Sequence, residues 1–341
     1  MRSDPAVPRG AVHTLTIDSP HLAGMMSGDT PKRDVAVYLP PGRTDGDGLP
    51  LLVHLSGFTG SGVSAVNWKA FGPNVPERLD QLIASGHMAP VAVAFPDCFT
   101  LYGGNQYINS AAVGHWDDFL TQDMVPAVET TFGCGGPGKR GLYGKSSGGY
   151  GAIVHALLHG GEVWNAAACL SGDMAFELAY LPDMPGVLRS LARTQFDLAR
   201  WMSAFWAAKK KSGKDTHVLM SLAMAATYDP APDAPWGIQL PVTTDTCELI
   251  GDRWARWMAW DPLTLATDPA ARDRLKALKG LWIDCGDVDQ YNLLYGARRM
   301  HRLLDANRVP HVYDEFPDDH SSIDYRLDLV LPFLVSALGQ D

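Results

Sequence analysis

The sequence has no stretch of 18 apolar residues, no Cys-x-x-Cys pair, no internal repeat and, apart from Lys209–Lys211, no run of basic residues. Each gap removes a class of function. Without a long apolar run there is no candidate for a membrane-spanning helix, so membrane insertion is not expected. The five cysteines (Cys98, Cys134, Cys169, Cys247 and Cys285) are odd in number and far apart, which indicates neither a zinc knuckle nor a redox dithiol. Cys169 and Cys285 lie in apolar runs and read as buried, inert thiols. A formal net charge of −10 offers no basic face to nucleic acid or to an anionic membrane. Lys209–Lys211 reads as a solvated helix end. The first ten residues, MRSDPAVPRG, carry no apolar signal core, and the expectation is a cytoplasmic protein.

What is present is a globular balance, with 46% hydrophobic and 19% charged residues, in a chain of 341 that suits one large domain with an insertion. Short apolar runs alternate with helix-like patterns. Strands are expected over 11–17, 33–40, 51–57, 90–97, 139–144, 163–173, 280–287 and 310–317. Helices are expected around 75–86, over 117–132 with a kink at Pro126, over 149–161, through 291–307 and after Ser321. Such alternation implies the α/β class: a mostly parallel central sheet with helices on both faces. The first two strands have no helix between them and are expected to form an antiparallel edge. Residues 174–262 interrupt the rhythm and hold six of the ten tryptophans. They read as an insertion of helices and ordered loops within a single domain spanning 1–341, either a cap over a site or a homo-oligomer contact. Trp254, Trp257 and Met258 share one helical face there, which reads as core.

The segment GLYGKSSGGYG (141–151) carries the chemistry. Gly144-Lys145-Ser146-Ser147-Gly148 fits G-x-S-x-G, and only Ser146 has glycine at both −2 and +2. A nucleophilic serine on a sharp strand-to-helix turn needs that pattern, because a Cβ at either glycine would strike the neighbouring strand or helix. The strand before it and the glycine-rich helix start after it are the context the motif requires. The helix N-terminus makes the Ser147 N–H one candidate oxyanion donor. The Gly-rich turn that leaves LLVHLSGFTGSG (51–62) supplies Phe58 N–H as the second. Lys145 reads as a solvated side chain, with a positive potential favouring acidic substrates as the alternative.

A serine hydroxyl needs a base. Of eleven histidines, His155, His159 and His301 fall on expected helices. His54 and His311 lie in or beside strands, with His54 close to the oxyanion turn. His115 is a secondary candidate for substrate contact. His320, in EFPDDHSSIDY, follows the last strand and is the one histidine at a strand's carboxyl end in the right chain order. Its orienting acid should leave the preceding strand, where LWIDCGDVDQ offers Asp287 and Asp289. Asp289 is favoured, either aspartate being also a candidate N-cap for the next helix. Asp284 lies within the strand. The order Ser146, Asp289, His320 is that of α/β hydrolases.

Taken together, VYLPPG (37–42), HLSGFTGSG (54–62), PDCFTLYGGNQYINS (96–110), GLYGKSSGGYGA (141–152), LSGD (170–173), IDCGDVDQ (283–290) and FPDDHSS (316–322) resemble the putative-esterase family of the α/β-hydrolase superfamily. That family includes S-formylglutathione hydrolases, feruloyl esterases, enterochelin-type esterases and mycolyltransferases. The resemblance implies the α/β-hydrolase fold and places the acid at Asp289 and the oxyanion donors at Phe58 and Ser147. It departs at Gly60, where S-formylglutathione hydrolases usually carry cysteine, and at Lys145, where histidine or glutamine is commoner. The expected activity is cleavage of a small-molecule ester or thioester through an acyl-enzyme, with no metal or organic cofactor. Acyl transfer to a sugar or alcohol is the alternative, and a non-catalytic binding protein on the same fold is the third reading.

Overall fold

The computed structural model describes residues 6–339. Eight strands form one sheet: β1 (Ala11–Asp18), β2 (Lys32–Leu39), β3 (Leu51–Leu55), β4 (Ala92–Pro96), β5 (Arg140–Lys145), β6 (Ala166–Leu170), β7 (Gly280–Gly286) and β8 (Val312–Phe316). Their spatial order is β1-β2-β4-β3-β5-β6-β7-β8. β1 pairs antiparallel with β2, and β2 antiparallel with β4. The strands from β4 to β8 are parallel. The expected antiparallel edge is therefore present, and the fold is the α/β-hydrolase fold.

Strand alternation divides the core between two faces. In β3, Leu51, Val53 and Leu55 face one cluster and Leu52 the other. In β5, Leu142 joins the first and Tyr143 the second. The second face is covered by α1 (Val75–Ala84) and by α10 (Leu327–Leu338). Numbering helices of eight residues or more, the first face is covered by α2 (Val125–Phe132), α3 (Ser147–His159) and α9 (Leu293–Ala306). α3 is buried at every residue from Ser147 to Leu157, because helices lie over the side that the sheet does not cover.

The helix expected over 117–132 departs from a simple proline kink. Phe119–Met124 winds as a π-helix, and Val125 N–H donates to the Leu120 carbonyl five residues back. Pro126 has no N–H to offer the Gln122 carbonyl, so the ladder widens before the proline instead of bending at it.

Between β6 and β7 the chain forms α4 (Met184–Ala192), α5 (Leu198–Ala207), α6 (Gly213–Tyr228), α7 (Gly251–Met258) and α8 (Pro269–Lys276). Residues 174–262 are thus helices and ordered loops packed on the first face. Trp257 is fully buried, its ring against Tyr180 and Tyr228, and Trp254 and Met258 pack at the edge of the same cluster.

Candidate active site

The parallel strands bring their carboxyl ends to one side, and the loops leaving β3, β5, β6, β7 and β8 meet there. β5 runs straight into α3 through Ser146, whose backbone sits at φ 60°, ψ −124°. A non-glycine residue in that region stores about 1–3 kcal/mol of strain. The turn is held on both sides: Ser146 N–H donates to the Leu170 carbonyl at 3.0 Å, and the Ser146 carbonyl accepts from Tyr150 N–H at 2.8 Å. The flanking glycines are a steric necessity. A Cβ on Gly144 would lie 2.4 Å from the Leu55 carbonyl oxygen, and one on Gly148 only 1.9 Å from the same atom.

The turn after β3 runs beside this elbow. A Cβ built on Gly57 would sit 3.5 Å from Ser146 Cβ, so the Phe58 backbone passes next to the serine. Neither Phe58 N–H nor Ser147 N–H meets an acceptor among the described residues. In a protein whose buried backbone groups are nearly all paired, two unpaired donors beside the elbow stand out.

The loops leaving β7 and β8 are zipped together by backbone bonds. Asp287 N–H donates to the Phe316 carbonyl at 2.9 Å and Val288 N–H to the Asp318 carbonyl at 3.3 Å. This sets Asp289 against His320. His320 Nδ1–H donates to Asp289 Oδ2 at 2.7 Å, with the carboxylate fully buried. Asp289 Oδ1 accepts from Tyr291 N–H at 2.9 Å and from Leu293 N–H at 3.4 Å. Asp289 therefore gives one oxygen to His320 and the other to the turn over Tyr291, while the N-cap of α9 is Asn292. Gln290 Oε1 accepts from His320 N–H at 2.9 Å, and Tyr291 meets the imidazole edge-on at 4.9 Å. Asp287 is exposed. Asp284 is buried but turned away, accepting from Trp282 Nε1–H and Arg326 Nε–H.

Ser146, His320 and Phe58 line one cavity of about 860 Å³. His115 does not line it; it is exposed on a short loop ladder, with Asp118 3.6 Å from its Nδ1. The secondary expectation for His115 is corrected: its strand pair with Asn109 turns it to solvent. His54 does line the cavity, packed between Phe95 and Tyr143. Burial pushes its pKa down from the ordinary 6.5 to about 4, so it is neutral near pH 7.

Several groups at the site were not singled out from the sequence. Asp173, in the LSGD stretch, is buried at the cavity wall and accepts from Tyr180 Oη–H at 2.8 Å and Gln106 Nε2–H at 3.3 Å. Burial raises its pKa above the usual carboxylate range. Gln106 Nε2 also donates to Ser147 Oγ at 3.0 Å, which ties the residue behind the elbow to this network. Both residues sit in stretches that carry the family resemblance, and that was the available signal. His217 from α6 faces the cavity, stacked on Tyr291 and bonded to Asp183, which raises its pKa. No residue pattern in α6 announced it.

Two clusters of histidine and aspartate lie outside the cavity lining, Asp117–His155–His159 and His301–Asp305–His311. In the first, His155 already uses both ring nitrogens, Nε2 on the Tyr107 carbonyl and Nδ1 on Trp164 Nε1–H. That pairing is structural, joining α3 to its neighbours. Among the described residues no helix is long and apolar enough to cross a membrane.

The sequence profile of the family described as "Putative esterase" matches residues 30–332. The chain belongs to that family. It is an ester-cleaving hydrolase by family, and solved structures agree with the fold. A ferulic acid esterase superposes with a TM-score of 0.62 at 17% identity, covering 97% of this chain and 99% of its own. An S-formylglutathione hydrolase from Agrobacterium tumefaciens gives 0.58 at 17% identity, over 98% of both chains. MPT51 from Mycobacterium tuberculosis gives 0.54 at 17% identity, over 96% of this chain and 99% of its own. At these identities the likeness speaks for the fold alone. A search of curated protein sequences finds no match.

Proposed function

We propose that this esterase cleaves a carboxylic ester or thioester through an acyl-enzyme on Ser146, with His320 as base and then acid. The observation that carries the reading is the 2.7 Å bond from His320 Nδ1 to buried Asp289, in a cavity that Ser146 also lines. Because Nδ1 carries the proton given to Asp289, Nε2 is left with its lone pair for the serine hydroxyl. Ser146 Oγ attacks the carbonyl carbon as its proton passes to Nε2. The carbonyl oxygen becomes an oxyanion between the N–H groups of Phe58 and Ser147, each worth about 3 kcal/mol in the transition state. The C–O or C–S bond then breaks, and the leaving alcohol or thiol takes the proton from His320. Water repeats the attack with His320 as base, and the acid leaves with Ser146 restored. Asp289 holds the tautomer and steadies the imidazolium.

The second reading is acyl transfer, in which a sugar or alcohol replaces that water. It is favoured by one observation: Tyr180, Lys211, Thr216, His217 and Met220, all within residues 174–262, form part of the cavity wall. A cap of this kind can exclude water and hold an acceptor. We therefore read 174–262 as a cap within one domain, not as an oligomer contact.

Initial rates on p-nitrophenyl esters from acetyl to long chain, plus an aryl acyl ester, test the reading beside Ser146→Ala. The expected result is turnover that disappears in the variant. Wild-type protein as inert as the variant on every ester would sink it. Product analysis with and without an added alcohol separates hydrolysis from transfer.

A further inference from the structure

The strand register puts three polar side chains on one wall of the cavity. His54 pairs with Tyr143 and Leu55 with Gly144, so Ser56 comes one step beyond the ladder, abreast of Lys145. Alternation turns His54, Ser56 and Lys145 to the same face of the sheet as Tyr143, toward the start of α10. All three line the cavity, and Lys145 is the residue immediately before Ser146.

Lys145 is half-buried and has no hydrogen bond or ion pair among the described residues. Three carboxylates, Asp324, Asp289 and Asp319, act on it through space and none bonds to it; Asp319 accepts from Ser321 N–H. Asp324, on the same wall, holds Lys69, and Asp289 holds His320. Lys69 is paired with Asp324, and Lys211, on the cap side, donates to the Trp206 and Ala208 carbonyls, whereas the Lys145 ammonium bonds to nothing among the described residues. Loss of water on burial pulls the Lys145 pKa below that of an ordinary lysine, which marks an under-solvated cation. Ser56 adds an independent observation: it is 7% exposed, and its Oγ has no hydrogen-bond partner among the described residues. A buried hydroxyl and a poorly hydrated ammonium on one wall are left under-satisfied by the protein's own groups and are favourable around an anionic oxygen.

We propose that Lys145 and Ser56 form an anion subsite next to Ser146, and that the preferred substrate is an ester or thioester carrying a carboxylate. The substrate part of the proposal rests on the esterase reading. The subsite itself does not. The carboxylate belongs to either the acyl group or the leaving group, and paired substrates separate the two. Acyl-side charge is read from p-nitrophenyl hemiglutarate against p-nitrophenyl hexanoate, after subtracting the spontaneous rate. Leaving-group charge is read from 4-acetoxybenzoate against 4-acetoxybenzamide.

The expected result is a kcat/KM ratio, anionic over neutral, of about tenfold or more in one of the pairs. Lys145→Met should reduce that ratio about tenfold, and Lys145→Arg should restore part of it. Ser56→Ala keeps the charge and should lower the ratio by about threefold; it serves if Lys145→Met does not fold. Ratios near one in an active wild-type enzyme, or a ratio that Lys145→Met leaves intact, would overturn the subsite while the esterase reading stood. If no ester is turned over, the esterase reading fails and binding decides the subsite. Glutarate should then raise the melting temperature of the wild type and not of Lys145→Met, and no difference between them would overturn it.

Discussion

The two sides of the cavity are built by different means. On the floor, backbone touches backbone: Gly144 and Gly148 lie against the Leu55 carbonyl, Ser146 N–H meets Leu170, and the loops after β7 and β8 are laced together. On the roof, side chains do the joining. Rings of Tyr180, Tyr228 and Trp257 pack on one another, and His217 bonds to Asp183. Backbone contacts tolerate shifts of a few tenths of an ångström, so the floor demands particular residues at particular spacings. Ring packing accepts many combinations of similar volume. A short motif can therefore describe the floor, whereas no motif describes the roof.

The sharpest way to test that contrast is to add the same methyl group to a glycine on each side. Gly148→Ala would press Cβ onto the Leu55 carbonyl, so a destabilisation of ~3 kcal/mol or more is expected, with ester hydrolysis lost. Gly186→Ala, in α4, meets nothing closer than 3.8 Å. It should leave activity intact and stabilise by up to about 1 kcal/mol, because the unfolded chain loses freedom. Thermal melts of the two variants check both; equal effects would erase the distinction between floor and roof.

Next in size is the orientation of His320. Asp289→Asn keeps Oδ1 for the turn over Tyr291 but removes the negative charge and favours the wrong imidazole tautomer. The expectation is a fall in kcat of roughly a thousandfold or more with little change in melting temperature. Asp287→Asn, on the exposed neighbour, should change kcat by less than about twofold. A reversed pattern would reassign the acid.

The comparison is finest in pH dependence, where the two sides should differ in sign. On the floor, His54 has a folded pKa of about 4, below the ordinary 6.5, because burial disfavours its charged form. The unfolded chain then binds the proton first, so stability is lost as pH falls from 6.5 toward 4, by up to about 3 kcal/mol. His54→Gln should flatten that limb of the stability curve. On the roof, the Asp183 hydrogen bond raises the His217 pKa. Its contribution is fully present below pH 6.5 and disappears as pH rises through the raised value, a change of ~0.5–1 kcal/mol for a pair about one-third exposed. His217→Gln should remove it. Denaturant titrations across pH 4–8 measure both, and parallel slopes in the two variants would contradict the assignment.

Much of the fold was legible because its elements carry local signatures. The strand runs, the antiparallel edge and the elbow follow from periodicity and from two glycines. The pairing of His320 with Asp289 was legible because one follows the last strand and the family pattern points to the other rather than to Asp287. The π-helix before Pro126 was not, since a proline announces a missing donor and not how the ladder adjusts. Lys145 read as solvated because a single strand position says nothing about what lies opposite. Its setting depends on Asp324 being taken by Lys69, two residues from distant segments. Asp173 stood inside a family stretch, yet its role depends on Gln106 and Tyr180 reaching it across the core.

By itself the sequence determined the order of strands and helices, the strained turn at Ser146 and the residues able to stand beside it. Those features depend on backbone geometry within a few residues, which spacing records. Only the tertiary structure decided which side chains share the cavity: an ammonium bonded to no carboxylate, a neutral histidine in a strand, and a roof of aromatic rings. Burial and pairing are properties of the whole packing, and the same lysine is a solvated ornament or an anion site according to what packs against it.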